Sequence, residues 1–252
     1  DSLPPLEVHW SDKIGRLMAQ SGIPTSKHAK EEIGADVQNA PKVYRNVYGE
    51  PPVSHLYAGE VPYAEGLAFP GMIDLSLLTS TNTSYEGFDR IFRAHETAHQ
   101  WWGIAVDFHT YHDQWLSEGF SDFSGLWYLQ TRSGKNELYF KTLDRWRDDI
   151  LRRRDKPAPI SLGYRMDTSQ DESTNYGVIV YNKGAWVLHM LRILMLDMQG
   201  MSEEKFKGTM RDFYGQYRGR SASTRDFQTV VEQHVGQPMD WFFRQWVDGW
   251  QI

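Results

Sequence analysis

His95-Glu96-Thr97-Ala98-His99, separated from Glu118 by eighteen residues, is the stretch that says most about the fold and the chemistry of this chain. Two histidines four positions apart lie on one face of a helix, so both rings can reach one metal ion. Zinc binds nitrogen and carboxylate ligands in a tetrahedral shell, and catalytic zinc sites keep one position for water. The pattern therefore predicts one Zn²⁺ ion held by His95, His99 and Glu118.

Glu96 follows the first histidine directly, where its carboxylate can act as a general base on an attacking water. The alternative interpretation is a surface helix with two solvated histidines. That alternative does not explain the apolar residues around the motif, which are Ile91, Phe92, Ala94, Ala98, Trp101 and Trp102. We therefore interpret the stretch as a catalytic zinc centre.

The motif and its flanks resemble the gluzincin zinc metallopeptidases of the aminopeptidase N and leukotriene hydrolase family. The flanking segments 99–103 (HQWWG) and 115–120 (WLSEGF) agree with the family. The segment 181–184 (YNKG) is similar to the family's tyrosine motif, and residues 224–246 are similar to the end of its catalytic domain. The resemblance runs from about Val43 to the C-terminus.

This resemblance implies a fold as well as an activity. It implies a thermolysin-like α+β domain, mostly helical, with a small β-containing N-terminal lobe and a helical C-terminal lobe. We expect residues 1–252 to form a single catalytic domain, with 1–105 as the smaller mixed lobe that carries the metal helix and 106–252 as the helical lobe. The family usually carries an N-terminal β domain, so we expect the chain to be part of a longer protein.

Three further residues are candidates for the chemistry. By resemblance, Tyr181 donates a hydrogen bond to the oxyanion of a tetrahedral intermediate, and Tyr176 lies near the substrate. Asp122 follows Glu118 by four residues and so shares its helical face. A carboxylate there can orient a metal-bound histidine through its other ring nitrogen. A solvated helix aspartate is the alternative for Asp122, and the sequence leaves both open.

One segment departs from the family. The family has a Gly-x-Met-Glu-Asn strand whose glutamate binds the N-terminal amine of the substrate. The matching residues here begin at Gly66, and they place Ala68 at the glutamate position and Phe69 at the asparagine position. The strand can still bind a peptide backbone by edge pairing. Glu60 or Glu65 could replace the missing amine anchor, although no spacing supports either.

The composition of the chain restricts the kinds of partner that it can bind. The chain has 252 residues, a net charge of −6 and no cysteine. The negative charge argues against nucleic acid as a partner, and no apolar run is long enough to span a bilayer. We expect a peptide substrate, with further domains of the same protein as possible partners. An epoxide hydrolase-like activity on the same site and a zinc-containing binding module remain as alternative functions, and the compartment stays open.

Apolar periodicity and helix-breaking residues predict the element order. Residues 1–24 are predicted as a lead-in with one short amphipathic turn, and 53–58 and 66–78 as extended chain. The metal helix is predicted to begin near Ser84, where residues 83–86 have capping-box spacing, and to end at Gly103. Other helices are predicted at 26–48, 117–132, 137–154, 176–198 with Gly200 as the cap, 202–217, 224–235 and 238–247. His109 and His112 are left outside the metal shell, and Arg152-Arg153-Arg154 is interpreted as complementing a helix dipole.

Overall fold

The computed structural model describes residues 6–20, 27–62, 66–76, 86–134, 136–153, 157–166 and 173–250. Its strands are β1 (Glu7–Ser11), β2 (His55–Val61), β3 (Leu67–Phe69), β4 (Met72–Ser76), β5 (Val106–Phe108) and β6 (Arg220–Ala222). The first four form one sheet in the order β1-β2-β4-β3. β1, β2 and β4 run parallel, and β3 lies antiparallel to β4 at the sheet edge. β5 and β6 pair separately.

Side chains alternate between the two faces of the sheet along each strand, and one of these faces is buried. That face and helix 27–48 enclose a small apolar cluster of Ile33, Val37, Leu56, Ala58, Ile73 and Leu75. The sequence analysis did not predict β1 as a strand, and this part of the lead-in prediction is wrong. Val8 and Trp10 of β1 pack against the cluster, so long-range packing, which local patterns do not reveal, stabilises this strand.

Most of the remaining described chain is helical. The helices are α1 (Lys13–Gln20), α2 (Lys27–Tyr48), α3 (Phe88–Ala98), α4 (Trp115–Ser133), α5 (Asn136–Arg152), α6 (Ser173–Tyr176), α7 (Gly184–Leu194), α8 (Glu204–Tyr217), α9 (Thr224–Val235) and α10 (Asp240–Trp246), with a π-helical segment at Gly177–Lys183 and 3₁₀ turns at Tyr111–Asp113 and Ile160–Met166. The predicted mostly helical α+β class is confirmed. The division into lobes at residue 105 stays a prediction.

The metal helix α3 ends earlier than predicted. Its last helical residue is Ala98, and His99 is the C-cap. The backbone N–H groups of Trp101 and Trp102 both bond to the carbonyl of Ala98, so the chain tightens into turns instead of continuing to Gly103. These turns bury both tryptophans completely. Helix α3 also begins later than the predicted Ser84, because its first residue is Phe88 and Gly87, in a left-handed conformation, is the N-cap. Residues 83–85 of the predicted capping box lie outside the described residues.

The segment 176–198, predicted as one continuous helix, is interrupted in the structure. It is divided into α6, the π-helical segment Gly177–Lys183 and α7, which ends at Leu194 with Met195 as its cap. Gly200 is therefore not the cap. After α7 the chain reverses through a short bridge between Asp197 and Ser202.

A buried ion pair joins α3 to the rest of the fold. Arg93 is fully buried and donates through Nε and Nη2 to the carboxylate of Asp36 on α2, at 2.9 and 2.6 Å. The Tyr128 hydroxyl on α4 donates to the same carboxylate at 2.7 Å. Because three helices meet at one carboxylate, this contact fixes the position of the metal helix.

Candidate metal centre and active site

Helices α3 and α4 bring the predicted ligands together. His95 and His99 are on the last turn of α3 and its cap, and their Nε2 atoms lie 3.0 Å apart. The Glu118 carboxylate, on the first turn of α4, lies 3.5 Å from His95 Nε2 and 3.4 Å from His99 Nε2. Two ligands at about 2.0–2.1 Å from a tetrahedral zinc ion are about 3.3 Å apart. The three atoms therefore have the spacing that zinc requires.

Hydrogen bonds on the far side of each ring fix the tautomers. His95 Nδ1 lies 2.7 Å from the Asp122 carboxylate, and His99 Nδ1 lies 3.0 Å from the carbonyl of Trp102. Carboxylate and carbonyl oxygens accept hydrogen bonds only, so both Nδ1 atoms donate. In the neutral form of each ring, Nε2 then presents a lone pair toward the other histidine and toward Glu118. Three acceptors this close can share one metal ion, and the residues therefore fit zinc.

The second ligand helix reaches the site because two glycines meet. A Cβ atom on Gly119 would lie 2.9 Å from the Cα of Gly184, so α4 and α7 approach with no side chain between them. The π-helical segment before Gly184 presents Tyr181, whose ring stacks on His95 with centroids 5.8 Å apart and planes at 6°. Tyr176 contacts Tyr181 edge-on, with centroids 5.6 Å apart.

Burial and charge set the protonation of the site. Burial raises the pKa of Glu96, although His95 and His99 oppose the shift. Burial alone would raise the pKa of Glu118, but the two histidines outweigh it and hold that pKa well below its usual range. Burial and the nearby Glu118 carboxylate raise the pKa of Tyr181, so the phenol stays protonated and can donate a hydrogen bond.

The three ligand residues line a cleft of about 950 Å³. One wall is the start of β3, where Gly66, Leu67 and Ala68 lie. A side chain at Gly66 would collide with the Glu96 carboxylate, so only glycine allows this close approach. The backbone beyond is held by Gln100, which donates to the carbonyl of Phe69 and accepts from the N–H of Gly71, both at 2.9 Å.

The lining of the cleft also contains residues that the sequence analysis did not predict. Trp146 and Asp149 of α5 and Arg153, the residue directly after it, line the cleft. Their spacing of three and four residues places them on one helical face, which is the signal that could have found them. Arg153 is therefore part of the cleft wall, whereas the sequence analysis treated it only as a complement to the helix dipole.

Several residues that the sequence analysis considered for the site do not line the cleft or contact the ligands. Phe69 and Tyr176 are not among the cleft-lining residues, and Phe69 is 45% exposed. Glu60 is buried on β2, and β4 separates it from β3. Glu65 lies outside the described residues. His109 and His112 do not contact the ligands, and His112 Nδ1 bonds instead to the carbonyl of Ser161 at 2.6 Å.

Comparison with known proteins identifies the family of the chain. The sequence model of the peptidase family M1 domain matches residues 75–246 of this chain, which include both ligand helices and Tyr181. The chain belongs to peptidase family M1. Membership confirms the resemblance stated above, the metallopeptidase class of enzyme and zinc as the cofactor.

Individual relatives are similar over part of their length. Aminopeptidase N from Haemonchus contortus is 30% identical over 61% of this chain and 16% of the relative. Glutamyl aminopeptidase from Bos taurus is 24% identical over 96% of this chain and 26% of the relative. The chain therefore spans about a quarter or less of these curated relatives.

Solved structures show the same fold. An M1 zinc metallopeptidase from Deinococcus radiodurans superposes with a TM-score of 0.64 and 22% identity, covering 86% of this chain and 44% of that one. Yeast LTA4 hydrolase superposes with a TM-score of 0.65 and 17% identity, over 86% and 35%. Among the described residues, no helix combines the length and the apolar character that a membrane span requires.

Proposed function

We propose that the chain hydrolyses peptide bonds at a zinc ion held by His95, His99 and Glu118. The observation that carries the proposal is the convergence of three acceptor atoms in a cleft whose wall also contains Glu96. Membership of family M1, with relatives named as aminopeptidases, supports the reaction class. A zinc ion bound there would supply Lewis-acid chemistry, polarising the scissile carbonyl and making water more acidic.

Glu96 is the general base of this mechanism. Its carboxylate takes a proton from the attacking water and later passes that proton to the leaving amine. The raised pKa of Glu96 suits this role, because a carboxylate that holds a proton more readily transfers it in both directions. Tyr181 donates a hydrogen bond to the oxyanion that develops on the carbonyl oxygen. Asp122 keeps His95 in the tautomer that binds metal.

The edge of the small sheet binds the substrate backbone. β3 is an edge strand whose first residues line the cleft, and an extended peptide can pair with such an edge. Gly66 leaves room for that peptide beside Glu96. Trp146 and Arg153 line the same cleft.

Two substitutions test the chemistry. Glu96→Gln removes the base and spares the ligands, so we expect zinc content near that of the wild type and kcat lower by several orders of magnitude. Tyr181→Phe removes one oxyanion donor, so kcat should fall about 10²–10³-fold with little change in KM. Steady-state kinetics on a peptide found by mass spectrometry of a peptide-library digest measures both. Unchanged turnover in either variant contradicts that residue's role, and no cleavage of any peptide by zinc-loaded protein contradicts the proposal itself.

The specificity follows from the apolar wall at Ala68. An amine needs a charge-assisted hydrogen bond to a carboxylate, and its desolvation against an apolar surface costs free energy. Ala68 packs against the apolar cluster of the sheet and offers no such group. We therefore infer that the cleft discriminates weakly for free N-termini and favours blocked or internal peptide bonds.

Paired assays on one peptide with a free and an acetylated N-terminus test this inference. We expect kcat/KM values for the two to agree within about 10-fold, since a strong charge-assisted contact would separate them by more. A strong preference for the free amine would show that another carboxylate binds it. Asp149, which lies in the cleft wall, and Glu65 would then be replaced by their amides to find the anchor.

A further inference from the structure

A second group of metal-binding side chains lies on the outer face of the sheet. Glu7 and His9 are alternate residues of β1, and both are exposed, whereas Val8 between them packs toward the apolar cluster. His55 begins β2 and lies directly opposite Glu7 in the parallel pairing, and Tyr57 lies opposite His9. Alternation and strand register therefore gather three potential ligands at one point.

Their atoms form a triangle similar in size to the one at the catalytic centre. His9 Nε2 lies 3.4 Å from His55 Nδ1. The Glu7 carboxylate lies 3.8 Å from His9 Nε2 and 3.6 Å from His55 Nδ1. A tetrahedral zinc ion needs separations of about 3.3 Å, so side-chain movements of a few tenths of an ångström would complete the site.

We propose that Glu7, His9 and His55 form a second, weaker site for a divalent metal of the zinc class. Two imidazoles and one carboxylate are a donor set that suits zinc, and three protein ligands leave the remaining position to water. Tyr57 stacks on the His9 ring, with centroids 4.6 Å apart and planes at 14°, and this contact orders one of the ligands before metal binds.

The site should be weaker than the catalytic one for a structural reason. Each catalytic histidine donates from its second ring nitrogen to an oxygen, whereas those of His9 and His55 show no such partner among the described residues. The loss of such a contact costs about 10- to 100-fold in metal affinity. The side chains of His9 and His55 are also 45% and 49% exposed, so water competes for the ion.

Metal at this site would connect β1 to β2. β1 lies at the edge of its sheet and, in the part of the chain that is described, pairs only with β2. Glu7 and His9 belong to one strand and His55 to the other. A bound ion would therefore hold the first strand in place, and its release would leave β1 attached by its ladder and by Val8 and Trp10.

Zinc titration of the intact chain tests the proposal. Protein stripped of metal by a chelator and dialysed is titrated with zinc chloride in a calorimeter. We expect two sites per chain in the wild type, the second at least about 10-fold weaker than the first. His9→Gln and His55→Gln should each lose the weaker site and keep the tighter one. His109→Gln, which changes an exposed histidine outside both clusters, should keep two.

Hydrogen exchange provides a second measurement that does not depend on activity. Zinc in excess of one equivalent should slow exchange of the β1 amides in the wild type and in His109→Gln, but not in His55→Gln. A single zinc site in the wild type would show that His9 and His55 are only a hydrogen-bonded pair, and would overturn the proposal. Retention of the weaker site in both histidine variants would overturn it as well.

Discussion

At the scale of single residues, the decisive feature is the orientation of the metal-binding histidines. The sequence predicts which residues can bind zinc, because four-residue spacing on a helix leaves little choice. It does not predict that the His99 ring is oriented by the Trp102 carbonyl, since that contact depends on how the chain turns after α3 ends. Asp122 was left open between two roles, and its 2.7 Å contact with His95 favours the orienting one.

Asp122→Asn tests this orienting role. The substitution keeps the shape and a hydrogen-bond acceptor but removes the charge that makes His95 a stronger ligand. We expect zinc to bind about 10- to 100-fold more weakly, as measured by competition with a chromogenic chelator. Asp144→Asn is the control, because Asp144 forms an exposed ion pair with Arg147 on α5 and should leave the affinity unchanged. Equal affinity in both variants would assign Asp122 to the solvated alternative.

At the scale of elements, the π-helical segment Gly177–Lys183 is the least predictable part of the site. The apolar pattern of this stretch predicts one continuous helix, because a periodicity near 3.6 residues does not distinguish an α-helix that contains a π-turn from one that does not. π-turns occur mostly as short insertions at functional sites. Here the segment presents Tyr181 parallel to His95, and the following Gly184 meets Gly119 of α4. The resemblance predicts a role for Tyr181, but the backbone that positions it becomes visible only in the structure.

The contact between α4 and α7 gives a prediction about stability. Gly119→Ala places a Cβ 2.9 Å from the Gly184 Cα, so the helices must separate. Overpacking of this kind costs about 1–3 kcal/mol, and the separation should also lower kcat by moving Glu118 relative to Tyr181. Gly215→Ala is the matched control, since Gly215 lies in helix α8 with no atom near its would-be Cβ. That control should stabilise the protein by about 0.5–1 kcal/mol.

Denaturant unfolding of the two glycine variants and the wild type measures these differences. A Gly119→Ala variant as stable and as active as the wild type would mean that α4 can shift without disturbing the site. The glycine contact would then be incidental to the positions of Glu118 and Tyr181.

At the scale of the whole molecule, the sequence predicts most helices but few of the contacts between them. Helix α9 begins and ends where the pattern places it, because Ser223 forms a capping box with Asp226 and Gly236 adopts a left-handed conformation at its end. The pairing of Arg93 with Asp36 joins residues 57 positions apart, and no local pattern indicates it. The placement of Arg153 in the cleft lining likewise depends on how α5 packs against the π-helical segment.

A buried histidine far from the metal ligands makes the stability of the whole fold depend on pH. Burial, with a smaller contribution from Arg192, lowers the pKa of His189 from 6.5 to about 4. The Tyr139 hydroxyl lies 2.8 Å from His189 Nδ1. Burial raises the pKa of Tyr139 to about 12, so the phenol remains protonated and can donate to the neutral ring.

The sign of the effect follows from proton uptake. Below pH 6.5 the histidine of the unfolded chain gains a proton, whereas the folded ring stays neutral until about pH 4. The unfolded state therefore binds more protons in this window, and the free energy of unfolding falls as the pH falls, by up to about 1.4 kcal/mol per pH unit from this residue. Above pH 6.5 both states are neutral and the contribution is constant.

His189→Gln removes this titration and keeps an acceptor for Tyr139. The difference in unfolding free energy between wild type and His189→Gln should therefore shrink, or change in favour of the variant, as the pH is lowered from 6.5 to 4. Tyr139→Phe is the control, because it removes the contact but leaves the histidine to titrate, so its free energy of unfolding should still fall as the pH is lowered. Because each comparison is a difference, acid release of zinc cancels where it is common to both proteins. Parallel pH profiles for wild type and His189→Gln would mean that the folded protein accepts a proton at His189 without loss of stability.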